Sequence, residues 1–184
     1  MGRLLIGSLV AAAAMFLIGF VFFGTPLFSN AYKTAPFETQ VTVQEALKAL
    51  PASGTYFIPM GEDEAAMAAH RAGPTAMLRV NMQGSEMMDP MVMVKGFVHM
   101  VVSAFLLGLL LLRVSPKIWS FGERMGIVVA ASLAVVVFSR LGEPIWFGAD
   151  WPFTLYLAVA DLISLIVAGF ILAKWFMPKA HPAG

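Results

Sequence analysis

The sequence predicts an all-α integral membrane protein: four transmembrane helices in a bundle, with a small α/β insertion outside the bilayer between the first and second. Three observations carry this. Apolar residues make up 59% of the 184 and charged residues 12%, where soluble domains hold roughly 45–50% and about a quarter. Four stretches are long and charge-free enough to cross a hydrocarbon core of about 30 Å, which takes roughly 20 helical residues. All four tryptophans, Trp119, Trp146, Trp151 and Trp175, fall at the ends of those stretches, where aromatic rings sit at headgroup level. The same composition excludes other classes. A net charge of +1 offers no basic field, so no nucleic-acid partner is expected. The absence of cysteine removes disulfides, iron–sulfur clusters and thiolate chemistry.

The first span fits between Leu4 and Phe28, within residues 1–30, with Arg3 before it and no further charge until Lys33. Its apolar run exceeds a signal-peptide core, so an uncleaved anchor is expected. The second span, from about Met91 to Leu112, opens on Asp89-Pro90, an N-cap followed by a first-turn proline, and is closed by Arg113. Ser120 and Glu123 form a capping box for the third, which continues to about Leu141 and obliges Arg124 and Arg140 to snorkel or find partners. The fourth runs from about Pro152 to Phe176, interrupted only by Asp161, and leaves 178–184 as a tail. Small residues recur every four positions: Gly122, Gly126, Ala130 and Ala134 on the third, Ala160, Ser164 and Ala168 on the fourth. Such rows predict close helix packing.

Charge sets the orientation. Arg3, the Arg113–Lys117–Arg124 loop, Lys174 and Lys179 share one side, while the loop from Gly142 to Trp151 carries Glu143 and Asp150 and no base. The positive-inside rule then places both termini in the cytoplasm, with residues 31–90 outside; the membrane is taken to be a bacterial inner membrane. In that outer segment Thr42 and Glu45 predict a capping box for a helix over Val43–Leu50. A strand over Gly54–Ile58, a helix over Glu62–Arg71 and a strand over Thr75–Met82 follow. A unit this small has little core of its own and is expected to lean on the bundle or on a partner.

Three groups of residues are candidates for chemistry. His99 and Asp161 each lie about nine residues, roughly 13 Å, inside the start of their spans. Lys95, His99 and Ser103 form one stripe, and Arg140 and Glu143 end the third span beside them. This intramembrane cluster of His99, Asp161, Arg140, Lys95 and Glu143 suits a structural ion pair, a proton relay or a small polar ligand. The second group is methionine. Nine of the 13 fall between Met60 and Met100, and Met87, Met88, Met91 and Met93 are candidate thioether ligands for Cu(I), or an adaptable contact surface. The third is an aromatic rim, Trp146, Phe147 and Trp151, suited to interfacial anchoring or partner docking. His99 is the sole histidine inside a span, with His70 in the outer segment and His181 in the tail, which excludes a bis-histidine haem.

No nucleophile–base set or phosphate-binding glycine loop occurs. The expected function is therefore non-enzymatic: an accessory or scaffold subunit of a larger membrane complex, energy-transducing complexes among them, with lipid and other membrane subunits as partners. No resident cofactor is expected. The alternative is a small transporter, or a ligand- or Cu(I)-handling membrane protein, using the polar cluster or the methionines.

Overall fold

The structure, a computed structural model, describes residues 1–115 and 120–178. Residues 1–32 and the chain from 90 onward form one unit, and residues 33–89 form another. The first unit contains α1 (Gly2–Phe23), α2 (Pro26–Ala31), α5 (Pro90–Val114), α6 (Phe121–Arg140), α7 (Gly142–Phe147) and α8 (Trp151–Ile171), which ends in a π-helical turn, Leu172–Phe176. Four of its helical stretches are long and apolar enough to cross a membrane. The second unit contains α3 (Phe37–Leu47), β1 (Gly54–Ile58), α4 (Glu64–Ala72) and β2 (Ala76–Val80).

Helix boundaries follow local chemistry. Ser120 and Glu123 do cap α6 reciprocally: the Ser120 Oγ accepts from Glu123 N at 3.2 Å, and Glu123 Oε2 accepts from Ser120 N at 3.1 Å. The first long helix is shorter than expected and stops at Phe23. Pro26 forces Thr25 into an extended conformation, and α2 starts afresh behind it. The third stretch breaks after Arg140 because Pro144 has no N–H for the Arg140 carbonyl four residues back. The expected loop from Gly142 to Trp151 thus contains a short helix, α7, closed by Gly148 in the left-handed region at φ 67°. Asp150 then caps α8 by accepting from Phe153 N at 3.1 Å.

In the long-helix unit α1 and α8 are central. A third of their apolar stretches is buried, against 17% for α5 and α6, which flank them on α1 and α8 respectively. One end of this unit is tightly packed. The start of α1, the end of α5, the start of α6 and the end of α8 meet there around Leu4, Ala11, Leu111, Val128, Ala168 and Leu172. Glycine allows the approach: a Cβ on Gly169 would collide with the Val128 side chain, and one on Gly7 would lie 2.6 Å from the Phe176 ring. The other end is held by rings, with Tyr156 against Phe22 at 5.5 Å and Phe28 against Phe153 at 6.2 Å.

Helix ends leave carbonyls without helical partners, a costly condition away from water. Here they are filled. At the end of α1, Phe20 O accepts from Gly24 N, Val21 O from Thr25 Oγ1, and Phe22 O from the Tyr156 hydroxyl. At the end of α8 two arginines do this work. Arg3 donates to Trp175 O at 2.6 Å, and buried Arg124 donates to Ala173 O at 3.4 Å and Pro178 O at 2.6 Å. The sequence required Arg124 to find partners or snorkel; its partners are Ala173 O in the π-helical turn and Pro178 O just beyond it, where a cation also suits the helix dipole.

The small-residue rows divide. Ala160 and Ala168 of α8 are buried, whereas Gly122, Gly126, Ala130 and Ala134 of α6 are all exposed. The face that α6 buries is Arg124, Val128, Ser132 and Val136, two residues out of step and so about 200° around the helix. Val128 as a knob in the Gly169 notch explains the choice.

In residues 33–89, β1 and β2 pair antiparallel, Gly54 opposite Val80 and Ile58 opposite Ala76. The strands and α4 form where the sequence predicts, Asp63 capping α4 through Ala66 N at 2.6 Å. The Thr42 capping box does not form. The helix starts at Phe37 behind Pro36, so Thr42 lies inside it and donates to Glu38 O at 3.0 Å, while Glu45 pairs with Lys48 at 2.6 Å. No residue from 33 to 89 is buried. Lys117, Trp119 and the tail residues from 179 to 184, to which the sequence assigned charges and an interfacial ring, lie outside the described residues.

Two outcomes test the α6–α8 seam. Gly169→Val should lower stability in detergent by about 1–3 kcal/mol through overpacking on Val128, whereas Gly126→Val, facing open space, should leave the thermal midpoint nearly unchanged. The buried Ser132 Oγ has no hydrogen-bond partner among the described residues. Ser132→Ala should therefore be neutral or stabilising in the same melt.

Candidate functional site

The polar cluster expected inside the bundle is only partly assembled. Asp161 lies at the midpoint of α8, where a carboxylate interrupts an otherwise apolar helix. Arg140 ends α6, a position the helix dipole favours for a cation. The antiparallel register that sets Arg124 beside Ala173 and Val128 beside Gly169 brings these two together three turns on. Arg140 Nε donates to Asp161 Oδ2 at 2.6 Å, with each side chain a little over a third exposed. This is a single charge-assisted hydrogen bond, not a bidentate fork, so the two guanidinium Nη groups retain donor capacity beyond the pair.

His99 and Lys95 do not join it. Helix α5 turns Phe97, Met100 and Ala104 toward α1, with the Phe97 ring edge-on to Phe16 at 6.0 Å. His99 is two residues from Phe97, about 200° around the helix, and so points away. Both His99 and Lys95 are exposed, and neither side chain makes a hydrogen bond or ion pair among the described residues. At this depth α1 packs between α5 and α8, which separates the two polar sites despite their matched distance from the helix starts. Ser103 shares the outward stripe and satisfies its hydroxyl locally, donating to His99 O at 3.0 Å.

Glu143 lies on α7, beyond the Pro144 break, and lines a hollow with Phe138, Trp146, Phe147 and Trp151. The aromatic rim expected from sequence is thus gathered in one place, with Trp146 77% exposed. The methionines expected to hold Cu(I) are also exposed, Met87 at 99% and Met88 at 77%. Met91 and Met93, two positions apart on α5, lie about 200° apart around the helix. No group of three His, Asp or Glu residues is placed to hold a metal among the described residues. His70, assigned no role from sequence, lies in the last turn of α4 and lines a hollow there together with Met60 and Met67. The i, i+3 spacing of Met67 and His70 on a predicted helix was the signal available for it.

Comparison with family models, with curated proteins and with solved structures finds no match to this chain. The residues themselves carry the functional argument.

Arg140→Gln and Asp161→Asn should each destabilise the detergent-solubilised protein. A buried pair that loses one partner costs about 3–5 kcal/mol, and the partial exposure here reduces the expectation to about 1–2 kcal/mol. The double variant should lose less than the sum of the singles, read from denaturant or thermal melts as a coupling energy. Additive losses would remove the pair as the lock between α6 and α8.

Proposed function

We propose that this protein is a non-enzymatic membrane subunit that serves as an accessory or scaffold chain in a larger membrane complex. The observation that carries the reading is the outward face of α5. Ionisable side chains within a span almost always face a bundle interior or water, because exposing them to lipid is expensive. Lys95 lies within two turns of the helix start and can reach the interface by snorkelling. His99 lies about 13 Å in, too deep for its short side chain to do so. A neighbouring helix that supplies a hydrogen bond to His99 resolves the cost. Two further features support the reading. The small-residue row of α6 is unused within the chain, and residues 33–89 expose Phe37, Met60, Met87 and Met88 while burying nothing.

In this reading the four long helices span a bacterial inner membrane with both termini cytoplasmic. The basic residues Arg3, Arg124 and Lys174 gather at one end of the long-helix unit, and the positive-inside rule assigns that end to the cytoplasm. The chain contains no cysteine, so single replacements report cleanly. Ser53→Cys should react with an impermeant maleimide in intact spheroplasts, and Gly2→Cys only after permeabilisation. The reverse pattern would overturn the orientation.

The subunit reading is tested on native protein extracted in mild detergent. A photo-crosslinking residue at Val102, on the exposed side of α5, should capture another protein chain. His99→Leu should reduce the yield of that chain by several-fold while leaving the thermal midpoint of the isolated protein unchanged or higher. Crosslinks to lipid alone, with no co-purifying chain, would count against it.

A further inference from the structure

We infer that the hollow between the Pro59–Gly61 loop and the Ala66–Arg71 stretch of α4 is a Cu(I) site built from Met60, Met67 and His70, separate from the Met87–Met93 cluster that the sequence suggested. The loop Pro59–Gly61 lies directly against α4: a Cβ on Gly61 would sit 2.6 Å from the Ala66 Cβ. That contact brings Met60 to the face of α4 that carries Met67 and His70, and all three line one hollow. Two thioethers and an imidazole form a soft donor set, which suits Cu(I) and gives little to hard divalent cations.

The orientation of the imidazole supports the assignment. His70 Nδ1 lies 3.1 Å from the Pro59 carbonyl oxygen. A carbonyl only accepts, so Nδ1 carries the proton and the Nε2 lone pair is left for a ligand. A histidine that binds metal through one nitrogen almost always donates its other N–H to a carbonyl, a carboxylate or water, which fixes both tautomer and ring direction. Here the support is in place and comes from the residue next to Met60.

The remaining lining residues agree. No Asp or Glu lines the hollow, while Arg71 does. A neighbouring guanidinium opposes a divalent ion about twice as strongly as a monovalent one. An anion held by Arg71 and His70 is the competing occupant of this hollow, and thioethers contribute nothing to it. This inference does not depend on the subunit reading.

The test uses the full chain in detergent micelles under anaerobic, reducing conditions, titrated with Cu(I) against a chromophoric Cu(I) chelator. One Cu(I) per chain is expected. Loss of a supporting contact at a metal site costs about 10- to 100-fold in affinity, so Met60→Leu, Met67→Leu and His70→Gln should each weaken binding by at least that much. The paired change Met87→Leu and Met88→Leu should leave it unaltered. A second readout needs no variant. In protein labelled at methionine methyl carbons, Ag(I) as a diamagnetic stand-in should shift two resonances, those of Met60 and Met67. The proposal is overturned if the chain takes up no Cu(I), if the triple variant binds as the unaltered chain does, if Zn(II) competes equally, or if Ag(I) shifts other methionines instead.

Discussion

Helix α8 is the element on which the rest of the long-helix unit depends, and what makes it central is the treatment of its carboxyl end. Its last turns widen into a π-helical turn, where Leu172 O accepts from Met177 N and the Ala173 and Trp175 carbonyls are left for partners from other helices. Arg3 from the start of α1 and Arg124 from the first turn of α6 fill them. Each arginine therefore ties a neighbouring helix to α8 at a defined height. The glycine notches at Gly7 and Gly169 admit Phe176 and Val128 at that same end, so hydrogen bonding and close packing fix one register. With the register set, Arg140 reaches Asp161 three turns away.

That arrangement explains which polar groups meet. Arg140 and Asp161 pair because α6 and α8 are direct neighbours. His99 remains apart because α5 packs on α1, and the face it presents there is the Phe97–Met100–Ala104 side. The outward polar stripe on α5 and the outward small-residue row on α6 are consequences of the same layout. With α1 and α8 in the centre, each flanking helix has one buried side and one side available to others. The proposed assembly role grows from this asymmetry, while the proposed copper site belongs to the unit of residues 33–89 and uses only local geometry around α4.

Residues 33–89 illustrate how local signals compete. Both strands and α4 follow from short-range chemistry and form close to where the residues predict them, with Asp63 as the cap of α4. Thr42 and Glu45 carry an equally good capping pattern and do not use it. Pro36 starts the helix six residues earlier, and a threonine already inside a helix bonds its i−4 carbonyl instead. A capping motif is thus informative only where nothing upstream has already begun the helix.

The residue pattern alone sets the number and approximate ends of the apolar helices, because apolar length, capping residues and prolines act within a few positions of themselves. It also determined that Arg124, Arg140 and Asp161 needed partners, since the cost of an unpaired charge at depth is independent of fold. It could not say which partners. A helical sequence specifies the angle between His99 and Phe97, but not which of those faces meets a neighbour. That depends on which side of α5 packs on α1, where Phe97 meets Phe16. The rows of small residues on α6 and α8 look alike in sequence, and only α8 uses its own. His70 carried no role in the sequence for a related reason: its tautomer and its methionine neighbours are set by a backbone carbonyl and a loop that come close only in three dimensions.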